Sequence, residues 1–214
     1  MNMINGLIDD SYWLGKTVLV TGHTGFKGSW LIMCLRQLGC RVIGLGLKPN
    51  TTPSLFDEAN IANFCDSHEI DIRDANKVKV FLEEKKPEVI FHLAAQAIVY
   101  ESYKNPLETF ATNTMGTVNL LDGIRRIGLD TTIVVVTSDK VYAPNLLSRP
   151  YREEDPLGGH DPYSASKAAS EIVVACYQQA FFSEQGIALA SGRAGNVIGG
   201  GDWAPNRLIP DAIR

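Results

Sequence analysis

No apolar run in this chain approaches the ~18 residues needed to cross a bilayer. The first 16 residues hold no basic stretch followed by an apolar one, so neither a spanning helix nor an export signal is expected. A soluble, cytoplasmic protein with no membrane partner is the expectation. A dominant charge is lacking too: 20 Lys and Arg stand against 24 Asp and Glu, a net charge of −4. Nothing in that balance draws the protein to nucleic acid or an acidic membrane, and a basic residue at a ligand must act locally. Cysteine is scarce. Cys34, Cys40, Cys65 and Cys176 form no C-x-x-C pair and no metal-ligand spacing with His23, His68, His92 or His160. Neither a disulfide framework nor a metal site is expected, and the four read as reduced, partly buried thiols. Internal repeats and low-complexity linkers are also missing.

What is present is an alternation of short β-rich runs with longer helical periodicities, the pattern of crossover units building a parallel sheet buried on both faces. Six strands are expected at 17–21, 41–47, 69–71, 89–93, 132–137 and 188–193. The first helix shows an apolar stripe of Phe26, Trp30, Cys34 and Leu38, stopped by Gly39, and later helices are expected over 75–85, 105–127 and 162–182. The fold class is therefore α/β, a doubly wound parallel sheet, whose ligand crevice lies beyond the carboxyl ends of the strands. Segment 142–162, with its prolines and the Gly158-Gly159 pair, reads as a long connection at that end of the sheet. The chain stops at Arg214, just after a glycine-rich turn and the opening of a helix at Leu208, which is expected of a partial chain.

The run Thr17 to Thr21 leads into Gly22-His23-Thr24-Gly25-Phe26-Lys27-Gly28 and then a helix. Gly22 permits a tight turn, Gly25 lets backbone approach a pyrophosphate, and Gly28 lets helix and strand pack closely. The anion would sit on the helix N-terminus. A carboxylate for an adenosine ribose is missing after the second strand, which ends Gly44-Leu45-Gly46-Leu47-Lys48. Lys48 suits a 2′-phosphate, as in NADP, or is a solvated lysine at a strand end. Asp71-Ile72 would lie beside an adenine, although a turn role for Asp71 and a capping role for Asp74 explain the same letters.

Tyr163 and Lys167 stand four apart at the start of a helix, on one face. A cation beside a phenol favours the phenolate, which can take a proton from a sugar hydroxyl. The fifth strand ends in Ser138-Asp139-Lys140: a hydrogen-bond donor, a candidate acid and a candidate base. After the sixth come Arg193-Ala194-Gly195-Asn196 and Gly199-Gly200-Gly201-Asp202-Trp203. Arg193, Asn196 and Arg207 are candidates for a ligand diphosphate or backbone, and Trp203 either stacks on a base or caps the core.

These residues resemble the extended short-chain dehydrogenase/reductases and, within them, the CDP-glucose 4,6-dehydratase group. The resemblance runs from Thr17 to Arg214. It rests on Thr21-Gly22-His23-Thr24-Gly25-Phe26-Lys27-Gly28-Ser29-Trp30, His92-Leu93-Ala94-Ala95-Gln96, Thr137-Ser138-Asp139-Lys140, Asp161-Pro162-Tyr163-Ser164 with Lys167, and the 193–203 string.

The resemblance implies bound NAD despite the missing ribose carboxylate, held by Gly22, Thr24, Gly25, Phe26, Lys27, Gly28, Asp71, Ile72, Leu93, Ala94, Ala95, Gln96, Asn113, Tyr163 and Lys167. It implies conversion of CDP-glucose to CDP-4-keto-6-deoxyglucose for dideoxysugars of surface polysaccharide. Tyr163 is then the base at C4, Lys167 lowers its pKa, Ser138 orients the sugar and Asp139 protonates the leaving C6 hydroxyl. Lys140 stands where dTDP-glucose dehydratases carry a glutamate as C5 base, and a lysine base needs a depressed pKa. Residues 1–214 are then the NAD-binding domain, with 194–214 opening a C-terminal substrate region largely missing here. Such a chain is expected to bind NAD more readily than CDP-glucose. A homodimer or homotetramer pairing through helices near 105–127 and 162–182 is implied as well. An epimerase or reductase on the same scaffold needs the Tyr163 pair but not Asp139 and Lys140, and a nucleotide-sensing module needs neither.

Overall fold

The computed structural model describes residues 9–144 and 149–213. Residues 1–8 of the N-terminal segment, 145–148 of the 142–162 connection and Arg214 lie outside the described residues. Six strands, β1 (Thr17–Thr21), β2 (Arg41–Gly46), β3 (Asp66–Glu69), β4 (Val89–His92), β5 (Thr132–Val136) and β6 (Ala188–Gly192), form one sheet. Its order is β3-β2-β1-β4-β5-β6 and every pairing is parallel. This is the expected doubly wound arrangement. The order in which strands are added reverses between β1 and β4, and the crevice opens at their carboxyl ends.

Strand alternation sorts the core into two faces. Val18, Val20, Val42 and Val89 pack with Ile32 and Leu35 of α1 (Phe26–Gln37). On the other face Leu19, Ile43, Leu45, Ile90, Ile133 and Val135 meet Phe81 and Leu82 of α2 (Ala75–Lys85), Leu120, Leu121 and Ile124 of α3 (Gly116–Ile127) and Val174 of α4 (Pro162–Tyr177). Both faces of β1 are thus covered, whereas β5 alternates buried with half-buried residues and β6 stays partly open. The expectation of a sheet buried on both faces holds at the centre and not at these two strands.

Three local expectations are corrected. The third strand lies at Asp66–Glu69 rather than 69–71; it is an edge strand paired only with β2, so its polar letters carry no burial pattern. The buried face of α1 is Gly28, Ser29, Ile32 and Leu35, while Trp30 and Cys34 are exposed. Gly28 must face the strand, and that requirement rotates the aromatic stripe outward. Among the cysteines only Cys40 is buried and Cys65 is intermediate; Cys34 and Cys176 are exposed and all four are free.

The helix expected over 105–127 is Pro106–Phe110 and α3, joined by a π turn at Ala111–Met115. The helix expected to 182 ends as α4 at Tyr177 and continues through a π turn, Gln178–Phe182. Asp161 caps α4, accepting from Ser164 N at 2.9 Å, with Pro162 in its first turn. The described part of the 142–162 connection is tied down: Ala143 N donates to Pro156 O at 2.8 Å and Gly158 N to Val141 O at 2.8 Å. No helix among the described residues is long and apolar enough to cross a membrane.

Candidate active site

Gly22 leaves β1 with φ +69, and a Cβ there would lie 2.7 Å from Ala94 N. A Cβ on Gly28 would lie 2.3 Å from Gly22 O. The turn therefore exists only without side chains at these two positions, and it delivers the N-terminus of α1, capped by Gly25 without a side-chain hydrogen bond, to the crevice.

The β4 end is held by Thr21. Its hydroxyl accepts from Leu93 N and Ala94 N, each at 3.1 Å, and lies 2.7 Å from His92 Nδ1. With both lone pairs occupied, the Thr21 proton goes to Nδ1. His92 is then the neutral Nε2–H tautomer, donating to Thr117 Oγ1 at 3.2 Å. Burial agrees: it pushes the imidazole down to about 3, with the Lys167 charge adding to the effect.

Along this crevice runs a cavity of about 360 Å³ lined by Gly22, Thr24, Gly25, Phe26, Lys27, Gly28, Asp71, Ile72 and the Leu93–Gln96 run. The residues fit a dinucleotide, since the glycine cradle presents backbone where a Cβ would intrude and a helix N-terminus faces the groove. Thr24 turns its hydroxyl to Leu47 O at 2.8 Å. Asp71 lies in the wall and is paired with Arg73 at 2.6 Å, and Asp74 caps α2, accepting from Lys77 N at 3.0 Å. Lys48 is well exposed and 3.9 Å from Glu69. The glycines that replace a carboxylate at the β2 end have a steric reason: a Cβ on Gly44 would lie 2.2 Å from the ring of buried His23.

Asn113 does not line the cavity. The π turn carries it inward, where its amide accepts from Gln96 N at 2.8 Å and donates to Gln96 O at 3.0 Å and Ser166 Oγ at 2.9 Å. It holds Gln96, which itself lines the cavity.

A second cavity, of about 580 Å³, shares Lys27, Asp202, Trp203 and Arg207 with the first, so the two join. Ser138, Lys140, Tyr163, Asn196 and Arg207 line it. Burial pushes the Tyr163 phenol up; hydrogen bonding with Ser138 and the charge of Arg207 pull it back. Lys167 is buried under the site and donates to Val136 O at 3.0 Å. Burial, then the Lys27 charge, lowers it to about 8, while Glu171 raises it. In this geometry Ser138 and Arg207 draw the phenol down, and Lys167 lies one helical turn further along the same helix.

Asp139 is not among the residues lining either cavity; it lies 3.5 Å from Lys140, which lines the second, and its carboxylate accepts from Ser138 Oγ at 3.1 Å. Lys140 also reaches Asn196 Oδ1 at 3.5 Å. Arg207 pairs with Asp202 at 3.6 Å, too long for a hydrogen bond, which leaves its Nε without one. Arg193 lines neither cavity and pairs with Glu171 at 3.0 Å.

Two features escaped the sequence reading. Trp30 donates from Nε1 to Gly200 O at 3.0 Å, fastening the glycine-rich strap to α1. Glu171, four residues past Lys167, is buried on the same helix; the spacing was visible, and its partners were not. Among the described residues no group of three or more His, Cys, Asp or Glu is placed to hold a metal ion.

The family model for GDP-mannose 4,6 dehydratase matches residues 19–213. The CDP-glucose 4,6-dehydratase of Salmonella typhimurium is 48% identical over 97% of this chain, which spans 59% of that relative's length. The UDP-glucose 4-epimerase of Thermus thermophilus, solved with NAD, superposes with a TM-score of 0.76 at 30% identity, over 89% of this chain and 58% of that one. A dTDP-glucose 4,6-dehydratase from Bacillus anthracis, also solved with NAD, has a TM-score of 0.76 at 24% identity over 93% of this chain and 60% of its own, a likeness of fold. The chain belongs to the GDP-mannose 4,6 dehydratase family, a branch of the extended short-chain dehydrogenase/reductases.

Proposed function

We propose that this chain carries the NAD site and the catalytic residues of a CDP-glucose 4,6-dehydratase. The observation that carries the reading is the placement of Asp139 and Lys140, 3.5 Å apart, directly beside Ser138 and Tyr163. An epimerase has work for the Tyr163 and Ser138 pair alone; elimination of water also needs an acid and a base. The 48% identity to a CDP-glucose 4,6-dehydratase supports CDP-glucose as the substrate in this reading.

The glycine turn, the Leu93–Gln96 run and Lys27 would hold NAD, which would supply a hydride acceptor at C4 and donor at C6, so that net oxidation is zero. Ser138 orients the C4 hydroxyl and Tyr163 removes its proton. The C4 ketone acidifies C5; Lys140 takes the C5 proton and Asp139 protonates the C6 oxygen as it leaves as water, and Lys140 gives a proton back to C5 as hydride is restored at C6. Arg207 and Lys27, at the neck joining the two cavities, suit the diphosphate charge. Asn196 positions Lys140. Residues 194–214 begin the substrate-binding region in this reading.

The reading includes work in the cytoplasm, in dideoxysugar and lipopolysaccharide synthesis, and a homodimer or homotetramer. Support for self-association comes from exposed Tyr100, Tyr103, Leu107, Met115 and Ile172 on the 99–115 segment and α4.

The test is mass spectrometry of CDP-glucose, UDP-glucose and dTDP-glucose incubated together with NAD and the protein. Loss of one water from CDP-glucose alone, without accumulating NADH, is expected. Unchanged mass in all three, with a 4-epimer formed, would replace dehydration by epimerisation.

A further inference from the structure

Glu171 takes no part in the chemistry above, yet its carboxylate is one of the most connected groups in the molecule. It sits on α4 in line with Tyr163 and Lys167, at successive four-residue steps, and is only 5% exposed. Oε1 accepts from Thr137 Oγ1, whereas Oε2 accepts from Ser191 Oγ at 2.8 Å and Arg193 Nη2 at 3.0 Å. Thr137 immediately precedes Ser138, and Ser191 lies on β6. The two strand ends are also joined by backbone bonds, Thr137 N to Gly192 O at 2.9 Å and Asp139 N to Ala194 O at 3.0 Å. Arg193 extends the network to the connection ahead of Tyr163, donating to Glu153 O at 2.9 Å with its guanidinium 4.9 Å over the Tyr142 ring.

We propose that Glu171 is a positioning residue for the site: it pins the ends of β5 and β6 to α4, so that Ser138 stands at Tyr163, and supplies the negative charge that offsets the cations around Lys167. The inference rests on the reading of Tyr163 and Ser138 as the proton-transfer pair. Around Lys167 the charged and titratable groups are Lys27 from the glycine turn, His92 from β4, and Tyr163 and Glu171 on its own helix; Arg193, just past β6, faces Glu171. His92 is neutral, so Glu171 is the anion set against Lys27. Burial works against charge on Glu171, and the hydrogen bonds from Arg193, Thr137 and Ser191 outweigh it, keeping the carboxyl below its ordinary range. An ionised Glu171 therefore persists wherever Lys167 must stay protonated.

The experiment compares wild type, Glu171→Gln and Glu171→Asp in two ways. Lysine-labelled NMR titration, assigned with Lys167→Met, reads the Lys167 charge on this chain without any turnover. Wild-type Lys167 is expected near 8. In Glu171→Gln it falls by about half a pH unit or more, and in Glu171→Asp it stays close to wild type. In turnover assays Glu171→Gln is expected to lower kcat about 10- to 100-fold, with KM within about 3-fold. The alkaline limb should move down by the same half unit.

If Glu171→Gln does not fold, Thr137→Val together with Glu171→Asp carries the test. Losing only the hydroxyl bond should lower kcat while Lys167 titrates as in wild type. An unmoved Lys167 titration in Glu171→Gln, or in Thr137→Val an unchanged kcat, overturns the proposal. A wild-type protein that performs no dehydration overturns the dehydratase reading instead, and the Lys167 titration still decides the role of Glu171.

Discussion

Trp30 Nε1 donates to Gly200 O at 3.0 Å, so the glycine-rich strap between β6 and the final helix is fastened to the helix that opens at the dinucleotide turn. Phe26 completes the contact, lying 3.2 Å from where a Gly199 Cβ would be. Gly201, Asp202 and Trp203 of the strap line both cavities, which links the geometry of one to that of the other.

Trp30→Phe keeps an aromatic and removes the donor. One hydrogen bond of this kind is worth about 0.5–1.5 kcal/mol, so NAD affinity is expected to weaken by roughly 2- to 12-fold with folding stability little changed. Calorimetric titration of NAD checks it; affinity equal to wild type would mean the strap is held by other contacts.

Tyr163→Phe removes the proton acceptor and should cut turnover by about 100-fold or more, while NAD binding changes little. Because burial raises the phenol and Ser138 lowers it, Ser138→Ala should move the acid limb of the turnover profile to higher pH. A profile that stays in place would remove Tyr163 as the titrating base.

Asp139→Asn keeps shape and removes the acid. Loss of water from CDP-glucose should slow by about 100-fold or more, while exchange of the C4 hydrogen with NAD persists, read with substrate deuterated at C4. Undiminished dehydration would assign the C6 proton to another group.

His92 and His23 are both buried and lowered by burial, His92 to about 3. Unfolded histidine titrates near ~6.5, so below that pH the unfolded chain binds protons that the native chain does not. The stabilisation from these neutral rings is fully present above ~6.5 and is lost as pH falls toward the folded values, by up to about 1.4 kcal/mol per pH unit per ring. Urea unfolding at pH 7.5 and 5.5 should show this decline, and His92→Gln should flatten it. Equal stability of wild type at both pH values would contradict the neutral assignment.

Much of the fold was legible because its signals are local. The strand at Thr17–Thr21, the turn from Gly22 to Gly28 and the helix behind it were readable in one stretch, since steric need and chain direction act within a few residues. The Tyr163 and Lys167 pair was legible for the same reason. The edge strand at Asp66–Glu69 was misplaced because its pairing with β2, not its own burial, makes it a strand. The partners of Arg193 and Asn113 were not legible because each side chain is directed by a residue distant in sequence, Glu171 in one case and Gln96 in the other.

By itself, then, the sequence determined the parallel α/β class and the glycine turn and put forward the proposed reacting groups, all of which depend on residue type and short spacing. Only the tertiary structure decided which cations face the crevice, that Lys167 turns to Val136 O, and that Glu171 ties Thr137, Ser191 and Arg193 to one helix. Burial and long-range hydrogen bonding set those outcomes. Both come into being only when segments remote in the chain exclude water from one another.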